Sequence, residues 1–356
     1  MTQQILCVPW GAGLGSLLET RVMGIVMKKL ALLATALAMF SGSASAADMA
    51  VKALKAPPAP AFDPWDIAFG GGIVSDYVFR GVTQSNHKPS VTAYFEPRFN
   101  VNKDLQFYVG VSGESISFTN RAAAEIDVYG GIRPTFGAFA FDIGVWGYLY
   151  PGGTCFYGAP TDFTGRAVGA ECAANALLNG NTMKKDVSFF EVYGKGTYTV
   201  NDNWAFGVTE FYSPSFLNSG AWGNYTSATA KYTAPSTLFG SSGVGMYVSG
   251  EFGRQWFGKT DSFYGTPAFP TGIHYADYNT WNIGVGFTYK VFTLDLRYSD
   301  TNLSKGDCSV FTGAFNAAAG TTTVTGNNPL GASSNWCGAT GIAKLSFDLT
   351  AMTNLK

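Results

Sequence analysis

The chain has 356 residues and a formal net charge of −1; only 13% of its residues are charged, whereas 15% are aromatic. A net charge near zero offers no basis for binding nucleic acid. Soluble domains carry about 25% charged residues, so we expect much of this surface to face something other than water.

The N-terminal region has the organisation of an export signal. In residues 27–46, MKKLALLATALAMFSGSASA, two lysines precede an apolar run and a small-residue cleavage site follows it. We therefore expect Met27 to be the true start, residues 1–26 to be a wrongly assigned upstream segment, and the mature chain to reach the periplasm of a Gram-negative bacterium. Residues 47–64, rich in Ala and Pro, are predicted to form an extended periplasmic linker.

From Trp65 onward, apolar and polar residues alternate with the period of two that is typical of strands. No helical periodicity is expected in this region, and after residue 46 no apolar run reaches the ~18 residues of a membrane helix. The pattern predicts twelve strands, at 65–80, 91–101, 105–118, 125–136, 138–150, 187–200, 203–213, 224–234, 243–257, 278–290, 292–302 and 338–349.

The predicted connections alternate in length. Three of them, 151–186, 258–277 and 303–337, are very long, whereas every second connection is short. Sorting of this kind is typical of an up-and-down transmembrane barrel, in which short turns face the periplasm and long loops face outward. The crossings of a β-sandwich would mix the two ends. The predicted fold class is therefore all-β, an up-and-down antiparallel transmembrane β-barrel of about twelve strands covering residues 65–356.

The direction of the side chains separates a membrane barrel from a soluble one. Phe141, Ile143 and Val145 alternate with Asp142 and Gly144, and other strands repeat this pattern. Eight strands already suffice to pack the interior of a closed barrel, so twelve apolar faces would overfill it. A barrel with its apolar faces toward lipid and its polar faces toward a water-filled lumen avoids this overfilling. Because its sheet is closed, every backbone N–H and C=O group is also hydrogen-bonded.

The same alternation predicts which charged side chains line the lumen. Acids outnumber bases, which predicts a weak cation preference that salt would screen. Mutual ion pairs could plug the lumen, or the charges could surround water; inward glycines such as Gly110 and Gly286 favour a narrow open pore. The predicted lumen residues are Asp66, Asp76, Arg80, Glu96, Arg98, Glu114, Glu125, Asp127, Arg133, Asp142, Glu191, Lys195, Glu251, Lys290, Asp295, Arg297, Lys344 and Asp348.

Loop 151–186 is a candidate constriction because a loop of this length usually serves a purpose. It could fold into the lumen, or it could lie outside and shield the surface; the sequence leaves both open. The charged residues proposed for this constriction are Asp162, Arg166, Glu171, Lys184 and Lys185.

Cysteine usage agrees with export. After the signal peptide the chain keeps four cysteines, Cys155, Cys172, Cys308 and Cys337, without a C-x-x-C spacing. An even number in an exported protein favours disulfides over metal binding. Local pairing, 155–172 and 308–337, is expected, although four cysteines permit three connectivities. The two histidines are isolated, no nucleophile motif accompanies them, and neither a metal, a cofactor nor a catalytic site is expected.

Residues 70–81, GGGIVSDYVFRG, and the following VTQSNHKPSVTAYFEPRF resemble the start of the TorF-like (Gcw_chp) family of outer-membrane porins. The specific likeness covers about 30 residues, and it implies a porin in the bacterial outer membrane. The chain departs from such barrels at its end, since LSFDLTAMTNLK does not finish on an aromatic residue.

These observations predict a porin-like channel for passive diffusion of small hydrophilic solutes, with weak cation preference. Its partners would be outer-membrane lipid and the solutes or ions themselves, with no nucleic acid, and its oligomeric state stays open. The alternative is a non-conducting structural or surface-interaction barrel, and the third hypothesis is an outer-membrane hydrolase.

Overall fold

The computed structural model describes residues 64–169, 172, 177 and 179–355. The predicted upstream segment 1–26, the signal peptide 27–46 and residues 47–63 of the linker lie outside this part of the chain. Their assignments therefore stay predictions.

Twelve antiparallel strands close into a barrel, which confirms the predicted fold class. Each strand pairs with its neighbours in sequence, and the last strand pairs with the first, for example through Gly71 and Phe347. Two short strands, β2 (Val78–Phe79) and β3 (Val82–Thr83), form a separate hairpin. The barrel strands are β1 (Trp65–Val74), β4 (Ser90–Asn102), β5 (Leu105–Glu114), β6 (Glu125–Phe136), β7 (Phe139–Leu149), β8 (Phe189–Thr199), β9 (Trp204–Ser213), β10 (Gly223–Thr233), β11 (Val244–Phe257), β12 (Tyr278–Tyr289), β13 (Phe292–Thr301) and β14 (Thr340–Thr350).

Two predicted strands are too long. The first was expected to reach residue 80 but ends at Val74, and the third was expected to reach residue 118 but ends at Glu114. The chain leaves the barrel wall after Val74 because Asp76 accepts hydrogen bonds from Thr83 and Ser85, which turns the segment back on itself. Alternation continues through this segment, so the sequence pattern did not show the change of direction.

The expectation of no helix is wrong for one loop. Helix α1 (Lys305–Thr312) begins after Ser304, whose hydroxyl accepts a hydrogen bond from the backbone N–H of Asp307. It ends at Gly313, which has a left-handed backbone. A second helix, α2 (Ala351–Asn354), follows β14, and 3₁₀ turns lie at Phe216–Asn218 and Ser262–Tyr264. Within the described residues, no helix is long and apolar enough to cross a membrane.

The outer face of the barrel is apolar. Val109, Ile143 and Ile283 each expose more than half of their surface, at 61%, 51% and 58%. Their neighbours along each strand turn inward, as Tyr108 and Asp142 do, and are buried or half-buried. A band of exposed aliphatic and aromatic side chains is what lipid, rather than water, accommodates.

The connections are sorted as predicted. One end of the barrel, here the short-turn end, holds the connections 103–104, 137–138, 200–203, 234–243 and 290–291. The opposite, long-loop end holds 75–89, 115–124, 150–188, 214–222, 258–277 and 302–339. The first of these long connections contains the β2–β3 hairpin.

A buried apolar cluster, the apolar cap, fills the long-loop end. All six long connections contribute side chains to it, and inward residues at the strand ends complete it. Its larger members are Val82, Phe118, Tyr148, Tyr150, Phe156, Met183, Val187, Phe189, Phe216, Phe257, Ile273, Tyr275, Tyr278, Phe311 and Trp336. Apolar area removed from water at this end supplies the stability that the core of a soluble domain would supply.

Both predicted disulfides are present. Cys155 pairs with Cys172 at a Cα–Cα distance of 4.9 Å, and Cys308 pairs with Cys337 at 5.9 Å. The 308–337 bridge is part of the apolar cap, whereas the 155–172 bridge belongs to a smaller cluster with Tyr157 and Phe263.

Candidate functional site

Tyrosine rings cover two of the inward glycines of the barrel wall, Gly110 and Gly286. A Cβ built on Gly110 would collide with the ring of Tyr129, and one built on Gly286 would collide with the ring of Tyr247. From sequence, these inward glycines predict open space in the lumen. That inference is wrong, because each glycine makes room for a tyrosine on the neighbouring strand.

The β2–β3 hairpin, here called the inner hairpin (Val78–Thr83), enters the lumen from the long-loop end. Its turn is Arg80–Gly81, and both residues have positive φ, of 48° and 79°. A Cβ on Gly81 would collide with Thr301 and come within 2.6 Å of the hydroxyl of Thr280. Glycine at this position is therefore required twice, by its backbone conformation and by its contact with β12 and β13.

Arg80 anchors the inner hairpin to the opposite wall. Its guanidinium donates to both carboxylate oxygens of Glu191, at 2.6 and 2.9 Å, and to the side-chain oxygen of Gln255 at 3.1 Å. The rings of Phe211 and Tyr225 lie 4.9 and 4.5 Å from its Cζ atom. Paired bidentately and enclosed by aromatic rings, the arginine bridges the lumen at this level.

Asp76 holds the base of the segment that carries the inner hairpin. One of its carboxylate oxygens lies 2.7 Å from Nδ1 of His87, and the other accepts from Thr83 at 2.5 Å. Nε2 of His87 lies 3.1 Å from the carbonyl oxygen of Asn335. The histidine thus joins this segment to connection 302–339, and both ring nitrogens have structural partners.

A charged network crosses the lumen near the short-turn end. Arg133 donates to Glu96 at 2.8 Å and to Asp142 at 3.3 Å, and Arg98 donates to Glu96 at 2.6 Å. The guanidinium of Arg133 also lies 3.6 Å from the ring centre of Tyr108. Four predicted lumen residues therefore meet in one ion-pair network in which opposite charges cancel.

A second network lies on the other side of the barrel. Arg297 donates to Asp295 at 3.0 and 3.1 Å and to Ser249 at 2.9 Å. Glu251, on the same wall, accepts from Tyr225 at 2.9 Å and from Asn282 at 3.1 Å without an arginine or lysine partner in the part of the chain described here.

A third group, here called the acidic trio, consists of Glu114, Glu125 and Asp127 at the long-loop ends of β5 and β6. One carboxylate oxygen from each lies within 4.8 Å of the others. Tyr77 and Tyr150 donate to Glu125 at 2.6 and 2.8 Å. Oxygen-rich side chains in this arrangement could hold a metal ion.

Two cavities flank these groups. One of about 430 Å³ opens at the short-turn end, where Arg133, Asp142 and Lys195 line it. Another of about 500 Å³ lies deeper, where Glu114 and Asp127 of the acidic trio and the aromatic rings of Tyr129 and Trp146 line it. Beyond it the apolar cap retains a cavity of only about 40 Å³. The lumen is thus roomy and polar from the short-turn end as far as the inner hairpin, and tightly packed above it.

Two kinds of predicted lumen residue are placed differently from expectation. Asp76 and Arg80 lie inside the lumen, but on the segment that fills it rather than on the wall. Lys290 is not a lumen residue: β12 ends at Tyr289, and Lys290 forms the exposed turn to β13 with a positive φ of 54°. The prediction that Lys290 points inward came from extending the alternation of β12 one residue beyond its end.

Three of the candidate constriction residues in loop 151–186, Asp162, Lys184 and Lys185, contact neighbouring loops. Asp162 accepts from Ser262 at 2.5 Å, and the ammonium of Lys184 lies 2.5 Å from Asp261. The backbone carbonyl of Lys185 accepts from Asn120 in connection 115–124, and the backbone of Arg166 pairs with that of Asp162. Glu171 lies outside the described residues. These contacts favour the interpretation that the loop lies outside and shields the surface over the interpretation that it constricts the lumen.

Sequence reasoning missed several polar lumen residues. Tyr77, Tyr108, Tyr193 and Gln255 bind the predicted charges, and Lys231 lies over the ring of Tyr247. Tyr108 and Tyr193 share the inward parity of the charged residues on their own strands. That parity was the available signal.

Comparison with known families agrees with the resemblance seen in residues 70–99. A family model described as "Bacterial protein of unknown function (Gcw_chp)" matches residues 58–174. The predicted resemblance to this family is confirmed. The matched region includes the inner hairpin and the acidic trio, so both lie in the part of the chain that resembles the family. No curated protein matches the chain significantly.

Among solved structures, the chain is similar to outer-membrane barrels. An outer membrane channel from Pseudomonas putida F1 is 9% identical, with a TM-score of 0.41, 85% of this chain covered and 100% of that chain. A Pseudomonas aeruginosa FadL homologue is 10% identical, with a TM-score of 0.38 and coverages of 81% and 90%. The NanC porin is 8% identical, with a TM-score of 0.35 and coverages of 80% and 100%. Similarity at this level carries no functional argument.

Proposed function

We propose that the protein is an outer-membrane channel for the passive diffusion of small hydrophilic solutes, with a weak preference for cations. The observation that carries the proposal is the opposite character of the two faces of one closed barrel: apolar side chains face outward, and charged and polar side chains line the lumen. Lipid is then the partner of the outer face, and solutes or ions are the partners of the inner face. The signal peptide at 27–46 would direct export to this membrane.

The proposed channel needs a conformational change to conduct. The inner hairpin and the apolar cap fill the long-loop end, whereas the short-turn end opens into a polar cavity of about 430 Å³. Solutes entering from the short-turn end would stop at Arg80 and Glu191 until the hairpin moves. We therefore expect few open events in the native protein.

The preference for cations follows from charges that lack an ion-pair partner. Arg98 and Arg133 neutralise Glu96 and Asp142, and Arg297 neutralises Asp295. Within the described residues, the lumen carboxylates that remain without an ion pair are Asp66, Glu114, Glu125, Asp127, Glu251 and Asp348, against the ammonium groups of Lys195, Lys231 and Lys344. While the acidic trio is ionised and holds no metal ion, this excess of negative wall charge enriches cations, and salt screens the effect; a cation bound to the trio would remove the preference.

Planar-bilayer recording tests the proposal. Val74 pairs directly with Ser90, so residues 75–89 can be replaced by Asn-Gly, a two-residue turn suited to a hairpin. This variant removes the inner hairpin and keeps the register of β1 and β4. Its single-channel conductance should exceed that of the native protein. As a matched control, replacing residues 159–168 with a short Gly/Ser linker shortens an outer loop and should leave conductance unchanged.

A second candidate function is a non-conducting structural or surface-interaction barrel. The apolar cap, to which all six long connections contribute, is the observation that favours it. If neither the native protein nor the variant without residues 75–89 conducts, although both are folded and heat-modifiable on gels, the channel proposal fails and this candidate stands. Catalysis forms no part of either proposal.

A further inference from the structure

The acidic trio is buried more deeply than isolated charges in a protein normally are. Glu125 and Asp127 expose only 2% and 4% of their surface, and Glu114 is partly buried. Three carboxylates with oxygens within 4.8 Å of one another repel strongly where water is scarce. Such a group persists in a folded protein only if positive charge reaches it or if protons neutralise it.

The protein supplies no ion-pair partner to the trio. In the described part of the chain, no Lys, Arg or His nitrogen lies within 4.0 Å of these three carboxylates, whereas Glu96, Asp142, Glu191 and Asp295 each have an arginine partner. The donors to the trio are neutral hydroxyl groups, from Tyr77 and Tyr150 to Glu125, from Ser112 to Asp127 and from Thr92 to Glu114.

Buried polar atoms without hydrogen-bond partners form a second observation, and one of them, Nε1 of Trp146, lies outside the trio. Oε2 of Glu114, Oδ1 of Asp127 and Nε1 of Trp146 are buried and have no hydrogen-bond partner within the described residues. All three residues line the same cavity of about 500 Å³. Buried polar atoms without partners are rare in folded proteins, and an ion or water is the usual explanation when several face one space.

The chemistry of the donors selects the ligand. We propose that Glu114, Glu125 and Asp127 bind a hard divalent cation of the Ca²⁺ or Mg²⁺ type in the barrel lumen. Carboxylate and hydroxyl oxygens surround the site, and hard cations prefer oxygen. The cavity leaves room for bound waters to complete the coordination, and one such water can accept the hydrogen bond that Trp146 Nε1–H offers.

The position of the site links it to the inner hairpin. Tyr77 precedes the hairpin and donates to Glu125, and Tyr150 begins connection 150–188 and donates to the same carboxylate. A cation that neutralises Glu125 therefore stabilises the carboxylate that holds both segments. Binding is expected to raise the thermal stability of the folded barrel whether or not the barrel conducts, so this proposal does not depend on the proposed function.

Terbium luminescence provides a direct test, because Tb³⁺ is a hard, oxygen-preferring analogue of Ca²⁺ and Trp146 lies beside the site. The full mature chain, refolded in detergent and freed of metal with a chelator, should show saturable Tb³⁺ emission on tryptophan excitation. Ca²⁺ should displace Tb³⁺, and parallel calorimetric titrations with CaCl₂ and MgCl₂ distinguish the two cations. Asp127→Asn and Glu114→Gln should each weaken binding at least tenfold.

Glu251→Gln is the matched control. Glu251 is also a lumen carboxylate with two neutral donors, Tyr225 and Asn282, but it stands outside the trio; its replacement should leave Tb³⁺ binding unchanged. Equal binding by Asp127→Asn, Glu114→Gln and the native protein would place the cation elsewhere. Absence of saturable binding by the folded native protein at millimolar Ca²⁺ and Mg²⁺ would mean that protons neutralise the trio. Equal binding by the variants, or no binding by the native protein, overturns the proposal. If Asp127→Asn fails to fold, Glu114→Gln, at a partly exposed position, and the Ca²⁺ competition on the native chain decide it.

Discussion

The guanidinium of Arg80 and the carboxylate of Glu191 meet inside the barrel, with 2.6 Å between Nη2 and Oε2, although 111 positions separate them in sequence. Their side chains are exposed by only 5% and 0%. Arg80 lies on the segment that leaves the barrel wall after β1. Glu191 is the third residue of strand β8, and its side chain faces inward. This contact holds the inner hairpin across the lumen. Substitution of Arg80 therefore tests the role of the hairpin directly.

Replacing Arg80 with alanine should destabilise the folded barrel by about 3–5 kcal/mol, because Glu191 would keep a buried charge without its partner. Equilibrium unfolding in urea measures this loss. Arg254→Ala is the control, since Arg254 lies on the outer surface, 3.8 Å from Asp277, where an ion pair contributes less than about 1 kcal/mol. Equal urea midpoints for the two variants would mean that the Arg80 contact does not hold the hairpin.

The disulfides should be found by mass spectrometry as two local pairs. Digestion of the exported protein without reductant should yield peptides joined through Cys155–Cys172 and through Cys308–Cys337. Replacing Cys308 and Cys337 together with serine should lower stability by about 3 kcal/mol in the entropic account of disulfides. Any peptide that joins the two loops would contradict the pairing.

Epitope insertion at two similar exposed turns, one at each end of the barrel, tests the orientation of the barrel in the membrane. Gly320, in connection 302–339, and Gly240, in connection 234–243, are both exposed, have φ of 70° and 62°, and have space around them. A short epitope inserted at Gly320 should be labelled on intact cells because long loops face outward. The same epitope at Gly240 should be labelled only after the outer membrane is opened. Labelling of Gly240 on unbroken cells would reverse the orientation.

Ion selectivity should respond to a single lumen charge. Asp348 faces the lumen, accepts a hydrogen bond from Tyr94 at 2.9 Å and has no ion-pair partner among the described residues. Asp348→Asn, in the background without residues 75–89, should reduce the cation-to-anion permeability ratio measured from reversal potentials. The ratio should also shrink as salt rises, because screening shortens the reach of wall charges. A clear anion preference in the unsubstituted background would refute the charge argument.

The contact between two outer loops should survive mild acid. Hydrogen bonds from Ser262 and Thr164 hold the pKa of the Asp162 carboxyl below its ordinary value. A carboxyl with a lowered folded-state pKa stabilises the fold above its unfolded pKa, near 4, and the effect is lost as pH falls through the folded pKa. Loop 150–188 should therefore resist limited proteolysis at pH 7 and at pH 4. Asp162→Asn should be cleaved faster at both values, and equal cleavage of the two proteins would contradict this role.

The sequence alone determined the barrel. Period-two alternation, loop sorting and a low content of charge predicted twelve strands, and the observed strands β4, β6 and β13 differ from the predicted ones by no more than one residue at either end. Local spacing also predicted both disulfides. These features are local because each strand pairs with its neighbours in sequence, so the pattern of one segment constrains the next.

The tertiary structure alone decided how the lumen is filled. The alternation continues through Tyr77 and Phe79, yet the chain there leaves the wall, and Arg80 pairs inside the lumen with Glu191 on β8 and Gln255 on β11. The acidic trio likewise draws on two strands and is held by Tyr77 and Tyr150 from two different connections. Closure of the sheet brings residues far apart in sequence to the same level of one enclosed space. No periodicity along a single strand records which side chain will meet which across that space, and so sequence parity could predict that a residue faces inward but not its partner.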